Sequence, residues 1–365
     1  MTDHRPVLLA AGGTGGHLFP AQALAEVLRA RGVAVELVTD SRALKYGGDF
    51  PARAVHAVAA GTPTGGSPLA KAVALLQLAR GTFSARGILA RVKPRVVVGF
   101  GGYPTVPPLL AASMLKVPAV LHEQNAVMGR ANRFLARRVA AIGTGFATLG
   151  GVDEAIRAKV TAVGNPVRPA VLAAAALPYP ALDGTLRLLV TGGSQGARVM
   201  SDVVPMALEL LAPEQRARLR VVQQARGEDE ARVREIYARL GLAAEVAPFF
   251  ADLPARMGAA HLVIARAGAS TVSELAVIGR PAILVPFPFA LDNDQGANAL
   301  ELAKSGAAEV VKQSGFTVYW LADALSRALA DPASLANRAQ SARSAGRPDA
   351  AERLADLVLA VAAKH

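Results

Sequence analysis

The sequence predicts an α/β protein with two domains, each built around a parallel sheet. Three observations support this fold class. The length of 365 residues suits two domains. A strand, a glycine loop and a helix follow one another twice, and the loops GGTGG and GGSQG begin at positions 12 and 192. The apolar runs are continuous rather than alternating, as expected of strands that are covered on both faces.

The first half of the chain reads as a βαβ unit followed by further buried strands. A strand over 6–11 leads into the first glycine loop, a helix over 20–31 and a strand over 33–39. Two more strands are predicted over 96–99 and 119–122. The uncharged stretch 96–115 has spanning length, but its three Gly and three Pro favour a strand, a loop and the start of a helix.

The pattern restarts in the second half, which indicates a weak internal duplication. The predicted elements are strands over 186–191, 220–223, 262–265 and 282–285 and a helix over 199–211. The segment 164–169 (GNPVRP) and the Ala- and Pro-rich run to Leu182 are typical of a linker. We therefore place the domains at 1–164 and 165–348. The sequence leaves open which of the two a final helix over about 349–363 packs on.

The excess positive charge lies entirely in the first half. Residues 1–168 hold 20 basic and 8 acidic side chains, whereas residues 169–365 hold 20 of each, so the net charge of +12 belongs to the first half. We expect this half to meet an anionic partner. Nucleic acid is not expected, because aromatic residues make up only 5% of the chain and no basic run carries interleaved aromatics.

Composition excludes several other classes of protein. The chain has no cysteine, which removes disulfides, thiolate nucleophiles and Cys-ligated zinc. The apolar run in residues 1–10 is too short for a signal peptide. We expect a soluble, intracellular protein.

Three glycine loops are candidate anion sites. They lie at 12–16, 99–102 and 192–196, each between a predicted strand and a predicted helix. Such a loop brings backbone N–H groups and a helix N-terminus to an anion, although a glycine that only permits a tight turn gives the same pattern. None of the three loops fully matches the fingerprint of dinucleotide-binding proteins. Asp40, which ends a predicted strand, nevertheless leaves a dinucleotide-binding function open. No P-loop motif is present.

Polar residues follow three further strands. The segment 266–275 (RAGASTVSEL) offers N–H groups and hydroxyls to a diphosphate, and Glu274 is placed to accept the hydroxyls of a ribose. A carboxylate there also complements a helix dipole. The segment 292–298 (DNDQGAN) suits either sugar recognition or helix capping. The run 122–125 (HEQN) lies at the carboxyl end of a predicted strand, which favours a ligand site.

His17 directly follows the first glycine loop. A single histidine is often structural. An imidazole whose pKa is near neutrality is nevertheless suited to act as a general base where loops converge. His17 is therefore the candidate catalytic base.

These segments together resemble the bacterial MurG family of undecaprenyl-diphospho-muramoylpentapeptide β-N-acetylglucosaminyltransferases. The matching pieces occur in the family's order and span most of the chain: GGTGGHLFPA at 12–21, GFGGYPTVP at 99–107, HEQNAVMGRANR at 122–133, GNPVR at 164–168, GGSQGA at 192–197, RAGASTVSEL at 266–275 and DNDQGANA at 292–299. Each glycine loop alone is a weak signal, but the ensemble is highly specific.

The resemblance implies a GT-B architecture, in which two Rossmann-like domains face a central cleft. The N-terminal domain would take the lipid-linked acceptor (lipid I), and the C-terminal domain would bind UDP-N-acetylglucosamine. The implied reaction inverts the anomeric carbon and forms lipid II. The implied location is the cytoplasmic face of the plasma (inner) membrane, as a peripheral protein. Cell-wall and division proteins stay open as partners.

The resemblance also assigns residues by position. The donor contacts would be Thr14, Gly15, Gly16, Asn125, Arg168, Ser194, Phe250, Ala269, Ser270, Thr271, Val272, Ser273, Glu274 and Gln295. Phe250, whose backbone would bind the uracil, stands where Ile is frequent. Asp294 stands where some members carry a second Gln. The candidates on the acceptor side are Gly101, Gly102, Tyr103 and Glu123.

We expect no required metal or other cofactor. No cluster of His and carboxylate residues is evident, and the pair Asp292 and Asp294 is better explained as part of the loop that recognises the sugar. Two other functions stay open at this point. A UDP-N-acetylglucosamine 2-epimerase would share the nucleotide-sugar features, and a non-enzymatic nucleotide-sugar-binding scaffold would share the motifs. A transfer assay discriminates among the three.

The stretch 67–93 is a candidate membrane-docking helix. It contains five basic residues and no acidic residue. The residues predicted to contact an anionic leaflet are Leu75, Leu78, Arg80, Phe83 and Arg86, with Leu76, Ile88 and Leu89 as further apolar surface. An ordinary helix with one face on the core and a solvated basic face would give a similar pattern.

Overall fold

The chain divides into two compact units. The computed structural model describes residues 4–12, 15–40, 50–61, 67–193 and 195–364, without the side chains of Pro68 and Leu291. The first unit comprises Met1–Arg168 and Pro348–His365, and the second comprises Pro169–Arg347. The boundary thus lies four residues after the one proposed from the sequence.

The first unit contains a parallel sheet of seven strands in the order β3-β2-β1-β4-β5-β6-β7. The strands are β1 (Val7–Ala10), β2 (Val35–Thr39), β3 (Val55–Ala57), β4 (Val96–Gly99), β5 (Ala119–Glu123), β6 (Ala141–Thr144) and β7 (Val160–Ala162). The helices are α1 (Gly15–Ala30), α2 (Pro68–Val92), α3 (Val106–Met114), α4 (Arg130–Leu135) and α5 (Glu154–Arg157). The fold class and the four strands predicted in this half of the chain are confirmed.

The C-terminal helix packs on the first unit. Its apolar face, which includes Leu354 and Val358, is buried with α1 and the start of β1 in one core cluster. The guanidinium of Arg31, which directly follows α1, lies 2.6 Å from the carboxylate of Asp356. The opposite face of the sheet is covered by α2 and α3. The helix spans Ala350–Ala363 and is numbered α15.

The second unit repeats this plan with six parallel strands in the order β10-β9-β8-β11-β12-β13. They are β8 (Leu186–Thr191), β9 (Leu219–Gln224), β10 (Ala243–Ala247), β11 (Leu262–Ala265), β12 (Ala282–Leu284) and β13 (Ala308–Val310). The helices are α6 (Pro169–Ala175), α7 (Arg198–Glu209), α8 (Pro213–Ala217), α9 (Gly227–Arg239), α10 (Leu253–Ala259), α11 (Ala269–Ile278), α12 (Asp294–Ala303), α13 (Val318–Ala330) and α14 (Pro332–Ala345).

The two sheets share one strand order, apart from the additional β7 of the first. This agreement supports the internal duplication inferred from the repeated glycine loops. In both sheets the order reverses beside the first strand, between β1 and β4 and between β8 and β11. Ligands of open parallel sheets bind outside the carboxyl ends of the strands at this point. The topology therefore marks one candidate edge in each unit.

The predicted linker is largely folded, which corrects the interpretation of the run to Leu182. Residues 169–175 form α6, whose Val171 and Ala174 are buried. The backbone that follows is held by side chains of the second unit: Arg280 donates to the carbonyl of Pro178 at 3.3 Å, and the Tyr179 hydroxyl donates to the carbonyl of His261 at 2.7 Å. Alanine favours helix, and buried apolar contacts then fix it.

Candidate functional site

The first two glycine loops pack against each other in the first unit. A side chain at Gly12 would collide with the ring of Pro104, so glycine is required for this approach. The helix α1 begins at Gly15, five residues before the predicted start, and Gly16 is exposed in its first turn. Thr14 lies outside the described residues. The N-terminus of α1 therefore stands beside the loop that follows β4.

The second glycine loop has a backbone that glycine favours. Gly101 and Gly102 have φ values of +85° and +72°. The hydroxyl of Thr105 lies 2.7 Å from the carbonyl oxygen of Gly101 and 3.2 Å from that of Ala10, which ties this loop to the end of β1. Tyr103 begins a short 3₁₀ turn and is half-buried.

The imidazole of His17 lies on this second loop. A Cβ on Gly102 would lie 3.3 Å from Nε2 of His17, and one on Gly101 would lie 3.5 Å from Cε1. The Nδ1 atom is buried and has no hydrogen-bond partner in the described part of the chain. Burial lowers the pKa of His17 below its ordinary value of 6.5, and the nearby Phe100 backbone and Gln124 side chain offset part of this. The ring is therefore neutral at pH 7 and able to accept a proton.

Glu123 anchors the loop after β5. Its Oε1 accepts from the N–H of Asn125 at 3.0 Å, and its Oε2 accepts from the N–H of Gly129 at 2.9 Å and from Nδ2 of Asn132 at 2.8 Å. Burial nevertheless raises the pKa of Glu123, and these hydrogen bonds act against that rise. Because both carboxylate oxygens are engaged, the geometry supports a positioning role more than acceptor contact.

His122, just before it in β5, is completely buried. Its Nε2 lies 2.9 Å from the carbonyl oxygen of Gly164, and its Nδ1 lies 3.2 Å from Nε2 of Gln124. That same amide nitrogen donates to the carbonyl of Phe100 at 2.9 Å. Burial lowers the pKa of His122 to about 4. His122 and Gln124 thus join the loops that follow β4, β5 and β7.

The segment 164–168 closes this edge of the first sheet. Nδ2 of Asn165 donates to the carbonyl of Gln124 at 2.9 Å. The guanidinium carbon of Arg168 lies 4.2 Å from the ring centroid of Phe19 on α1. The structure therefore brings nine predicted site residues of this unit to one edge: Gly15, Gly16, His17, Gly101, Gly102, Tyr103, Glu123, Asn125 and Arg168.

In the second unit, Gln224 organises the third glycine loop. Its Oε1 accepts from the Thr191 hydroxyl at 2.9 Å and from the N–H of Gly192 at 3.0 Å. Its Nε2 donates to the carbonyls of Gly193 at 3.0 Å and Pro248 at 3.2 Å. One buried amide thereby connects this loop to the segment that carries Phe250. Ser194 lies outside the described residues.

Helix α11 presents free donors at its start. The residue before it, Gly268, provides no side-chain cap, and the N–H of Val272 is the first to reach back to Gly268, at 3.0 Å. The N–H groups of 269–271 therefore have no intrahelical acceptor. Ser270 and Thr271 are half-buried, and Glu274 is 7% exposed. The result is a row of donors beside a nearly dehydrated carboxylate.

Gln295 and Arg266 shape the neighbouring loop. Oε1 of Gln295 accepts from the N–H groups of Phe287 at 2.9 Å and Ala267 at 3.3 Å, and its amide nitrogen has no partner among the described residues. The guanidinium of Arg266 donates to the carbonyls of Val285 and Pro286 at 3.1 Å each. Burial raises the pKa of Asp294, and the hydrogen bond that its carboxylate accepts from the N–H of Gln295 acts against that rise.

Phe250 is buried, and the guanidinium carbon of Arg256 lies 4.3 Å from its ring centroid. Arg256 also pairs with Glu245 at 2.6 Å and Asp252 at 2.7 Å. The Phe250 side chain is thus covered by the guanidinium of Arg256. Phe250, residues 269–274 and Gln295 belong to loops and a helix start at the carboxyl edge of this sheet.

Sequence reasoning missed three residues that shape this edge, namely Gln224, Arg266 and Asn298. Gln224 ends an apolar strand as part of a Gln-Gln pair, which is the same signal that singled out the run 122–125. Arg266 and Asn298 lie inside segments that were recognised, but without roles; Nδ2 of Asn298 donates to the carbonyl of Ala267 at 3.2 Å. No group of three or more His, Asp or Glu suited to a metal occurs among the described residues.

The basic helix α2 carries a largely exposed apolar surface. The exposed fractions are 74% for Leu69, 60% for Leu75, 59% for Leu76 and 68% for Phe83. Arg80 and Arg86 are exposed as well. Leu78 is a correction, because it packs against the core of the first unit, and Ile88 and Leu89 are buried there. Across the described residues, no helix combines the length and apolarity needed to span a membrane.

Comparison with known proteins decides the family. The glycosyltransferase family 28 N-terminal domain matches residues 7–144, and the family 28 C-terminal domain matches residues 187–354. A UDP-N-acetylglucosamine--N-acetylmuramyl-(pentapeptide) pyrophosphoryl-undecaprenol N-acetylglucosamine transferase of Methylobacterium nodulans is 60% identical over 99% of this chain and 98% of its own length. The crystal structure of Acinetobacter baumannii MurG is 30% identical, with a TM-score of 0.79 over 98% of this chain and 99% of that one. The chain belongs to the MurG family.

Membership of the MurG family confirms the GT-B fold class and the resemblance drawn from the motifs. A UDP-GlcNAc 2-epimerase from Neisseria meningitidis also matches, with a TM-score of 0.68 over 99% of this chain and all of that one. Its sequence identity is 13%, so it shares the fold alone.

Proposed function

We propose that this chain transfers N-acetylglucosamine from UDP-N-acetylglucosamine to the muramoyl sugar of undecaprenyl-diphospho-muramoylpentapeptide, lipid I, which forms lipid II. The observation that carries the proposal is the 60% identity, over 99% of the chain, to an enzyme whose name states this transfer. The arrangement of donors and acceptors in each unit supports it. A 2-epimerase is disfavoured because the epimerase match rests on fold alone.

The second unit is proposed to bind the nucleotide sugar. The unpaired N–H groups at the start of α11 suit a diphosphate, and Glu274 suits the ribose hydroxyls. The amide nitrogen of Gln295 is left to donate to the sugar, and the backbone of Phe250 is left for the uracil. The donor roles of Asn125 and Arg168, and those of Thr14 and Ser194, stay predictions from the resemblance.

The first unit is proposed to hold the acceptor. Its two packed glycine loops and the start of α1 offer backbone N–H groups to the diphosphate of lipid I. His17 lies on the second loop and is neutral, so it is placed to take the proton of the acceptor hydroxyl. Tyr103 is the next candidate for that proton.

The proposed step has a simple balance. The acceptor hydroxyl oxygen forms a bond to C1 of the sugar and gives its proton to His17. The bond between C1 and the diphosphate oxygen breaks, and its electron pair stays on UDP, which gains one negative charge. Backbone donors and cations at the diphosphate stabilise that charge. We predict that no metal is required, and turnover in excess EDTA checks this.

A transfer assay tests the function directly. Purified chain, UDP-N-acetylglucosamine and a lipid I analogue should give lipid II and UDP in equal amounts. Formation of UDP-N-acetylmannosamine, or of N-acetylmannosamine and UDP by its hydrolysis, would instead indicate an epimerase. Binding of the nucleotide sugar with no turnover of any kind would indicate a scaffold.

Donor binding is expected to depend on Glu274. Loss of a charge-assisted hydrogen bond costs about 1.5–3 kcal/mol. The Glu274→Ala substitution should therefore weaken the binding of UDP-N-acetylglucosamine at least about tenfold, as measured by calorimetry. Glu301→Ala is a matched control, because Glu301 pairs with Lys304 on the neighbouring helix α12. A normal dissociation constant for a folded Glu274→Ala variant would exclude the assignment.

We further propose that α2 docks the first unit on the anionic cytoplasmic face of the membrane. Exposure of the apolar side chains of Leu75, Leu76 and Phe83 to water is unfavourable. Insertion of these side chains into the membrane interface removes that cost. Arg80 and Arg86 stand among them and suit anionic headgroups. Each basic residue near such a surface contributes about 1 kcal/mol, screened by salt.

Sedimentation with vesicles tests this docking. Binding to phosphatidylglycerol vesicles should fall with ionic strength, and should fall at least about tenfold when Arg80→Glu and Arg86→Glu are combined. The control is Arg29→Glu with Arg157→Glu, which makes the same charge change at exposed positions on α1 and α5. Equal binding to neutral and anionic vesicles would contradict the electrostatic part. No binding to either would contradict the docking surface.

A further inference from the structure

Arg226 lies against the third glycine loop. It follows β9, which pairs in parallel with β8, so the loops after both strands share one edge of the sheet. A Cβ on Gly196 would lie 2.9 Å from Cγ of Arg226, and Nη2 of Arg226 lies 3.5 Å from the carbonyl oxygen of Gly196. The arginine arm therefore runs along the loop between β8 and α7.

The guanidinium of Arg226 has unused hydrogen-bonding capacity. Its side chain is 38% exposed, and its ion pair with Glu228 is loose, at 3.7 Å, with a carboxylate that is 69% exposed. Such surface pairs contribute little. Its Nε is buried and has no hydrogen-bond partner among the described residues. A guanidinium offers five N–H donors, so several are left for a ligand.

The other charged groups nearby are already paired. On the first turn of α9, Asp229 pairs with Arg232 at 2.8 Å, and Glu230 pairs with Arg234 at 2.6 Å. Arg266 is held by carbonyls and by Gln313, and the charge of Arg226 adds to burial in lowering the pKa of Arg266. Two guanidinium groups thus lie close enough to repel at the edge where an anion is expected. A bound anion would relieve that repulsion.

We propose that Arg226 binds the diphosphate of the nucleotide donor and stabilises the negative charge on the departing UDP. This inference rests on the proposed function and adds a cation to the backbone donors of the second unit. When the bond from C1 breaks and its electron pair stays on the β-phosphate oxygen, a planar guanidinium beside the loop can hold two phosphate oxygens. Lysine supplies the charge without that fork.

The test uses the full chain with Arg226→Gln and Arg226→Lys, and UDP and UMP as calorimetric probes. Arg226→Gln should weaken the binding of UDP at least about tenfold and the binding of UMP by a smaller factor. The preference of the protein for UDP over UMP should therefore fall. It should also lower kcat in the transfer assay, and Arg226→Lys should be intermediate in both. The control is Arg239→Gln, which removes the same charge from the far end of α9, where Arg239 pairs with Glu209.

The outcomes separate this inference from the proposed function. If the unmodified chain binds UDP and makes lipid II while Arg226→Gln keeps normal UDP affinity and kcat, the inference is wrong and the function stands. An equal loss of UDP and UMP affinity would also overturn it, because that pattern indicates a structural role. If the unmodified chain binds UDP without making lipid II, the proposed function is wrong. The change in preference for UDP over UMP in Arg226→Gln still tests the role of Arg226 in that case. Failure to bind UDP at all would overturn both.

Discussion

Replacement of His17 by alanine is expected to lower kcat by about 10²–10⁴-fold while leaving the affinity for UDP-N-acetylglucosamine nearly unchanged. The imidazole packs on the loop proposed to hold the acceptor, and its buried Nδ1 and lowered pKa keep it neutral at pH 7. A general base acts in the transition state, so its loss reduces kcat more than donor binding. Steady-state transfer assays and donor calorimetry measure the two effects separately.

The pH profile gives a second test of His17. Only the neutral ring can take a proton, so kcat should fall as the pH drops through the pKa of His17. Burial lowers that pKa below its ordinary value, so kcat should begin to fall at a lower pH than it would with a free imidazole as the base. His4→Ala is the control, because His4 is an exposed histidine of the same unit. Near-normal turnover of His17→Ala would show that the base is elsewhere, and Tyr103 would then be tested before Glu123.

Most of the buried central strands were predictable from sequence, whereas β6 and the short edge strands were not. A strand formed by a continuous apolar run, such as 186–191, has apolar side chains on both faces. Both faces are buried only when the sheet lies between two layers of helices. The edge strands β3, β7 and β10 are partly exposed and only three to five residues long. They lack an apolar run, and the neighbouring strand determines them instead. A local pattern carries no signal for such strands.

The helix boundaries show the same limit. The sequence predicts a helix that begins at Pro20, and proline is indeed favoured in the first turn of a helix. The helix instead begins at Gly15, because the packing of the two glycine loops fixes the backbone there. Likewise, α6 forms within the apparent linker because α10 and α11 bury its apolar residues.

The candidate site was predictable as a set of motifs but not as an arrangement. His17 and Gly102 are 85 positions apart, so nothing local indicates that the ring of one rests on the backbone of the other. For Glu123, the sequence marked a carboxylate at the end of a strand, which is typical of a ligand site. Only the positions of Gly129 and Asn132 show that its oxygens are engaged internally.

Acid is expected to destabilise the first unit through His122. Its pKa is about 4 in the folded chain and about 6.5 when unfolded. Between these values the unfolded chain binds more protons than the folded chain, so stability falls as the pH falls. The shift corresponds to about 3 kcal/mol lost between pH 7 and pH 4. The physical cause is that burial removes the charged imidazole from water, and the hydrogen bond to the Gly164 carbonyl offsets only part of that cost.

Hydrogen exchange of the β5 amides, measured from pH 4 to pH 7, checks this expectation. His122→Asn should lower stability at pH 7, because two buried hydrogen bonds are disturbed, yet should flatten the dependence on pH. The flattening is decisive, since a general loss of packing would shift the curve without changing its slope. His4→Asn should leave the slope unchanged, because His4 is exposed in the same unit. A slope that persists in His122→Asn would assign the acid sensitivity to another group, with His17 the next to test.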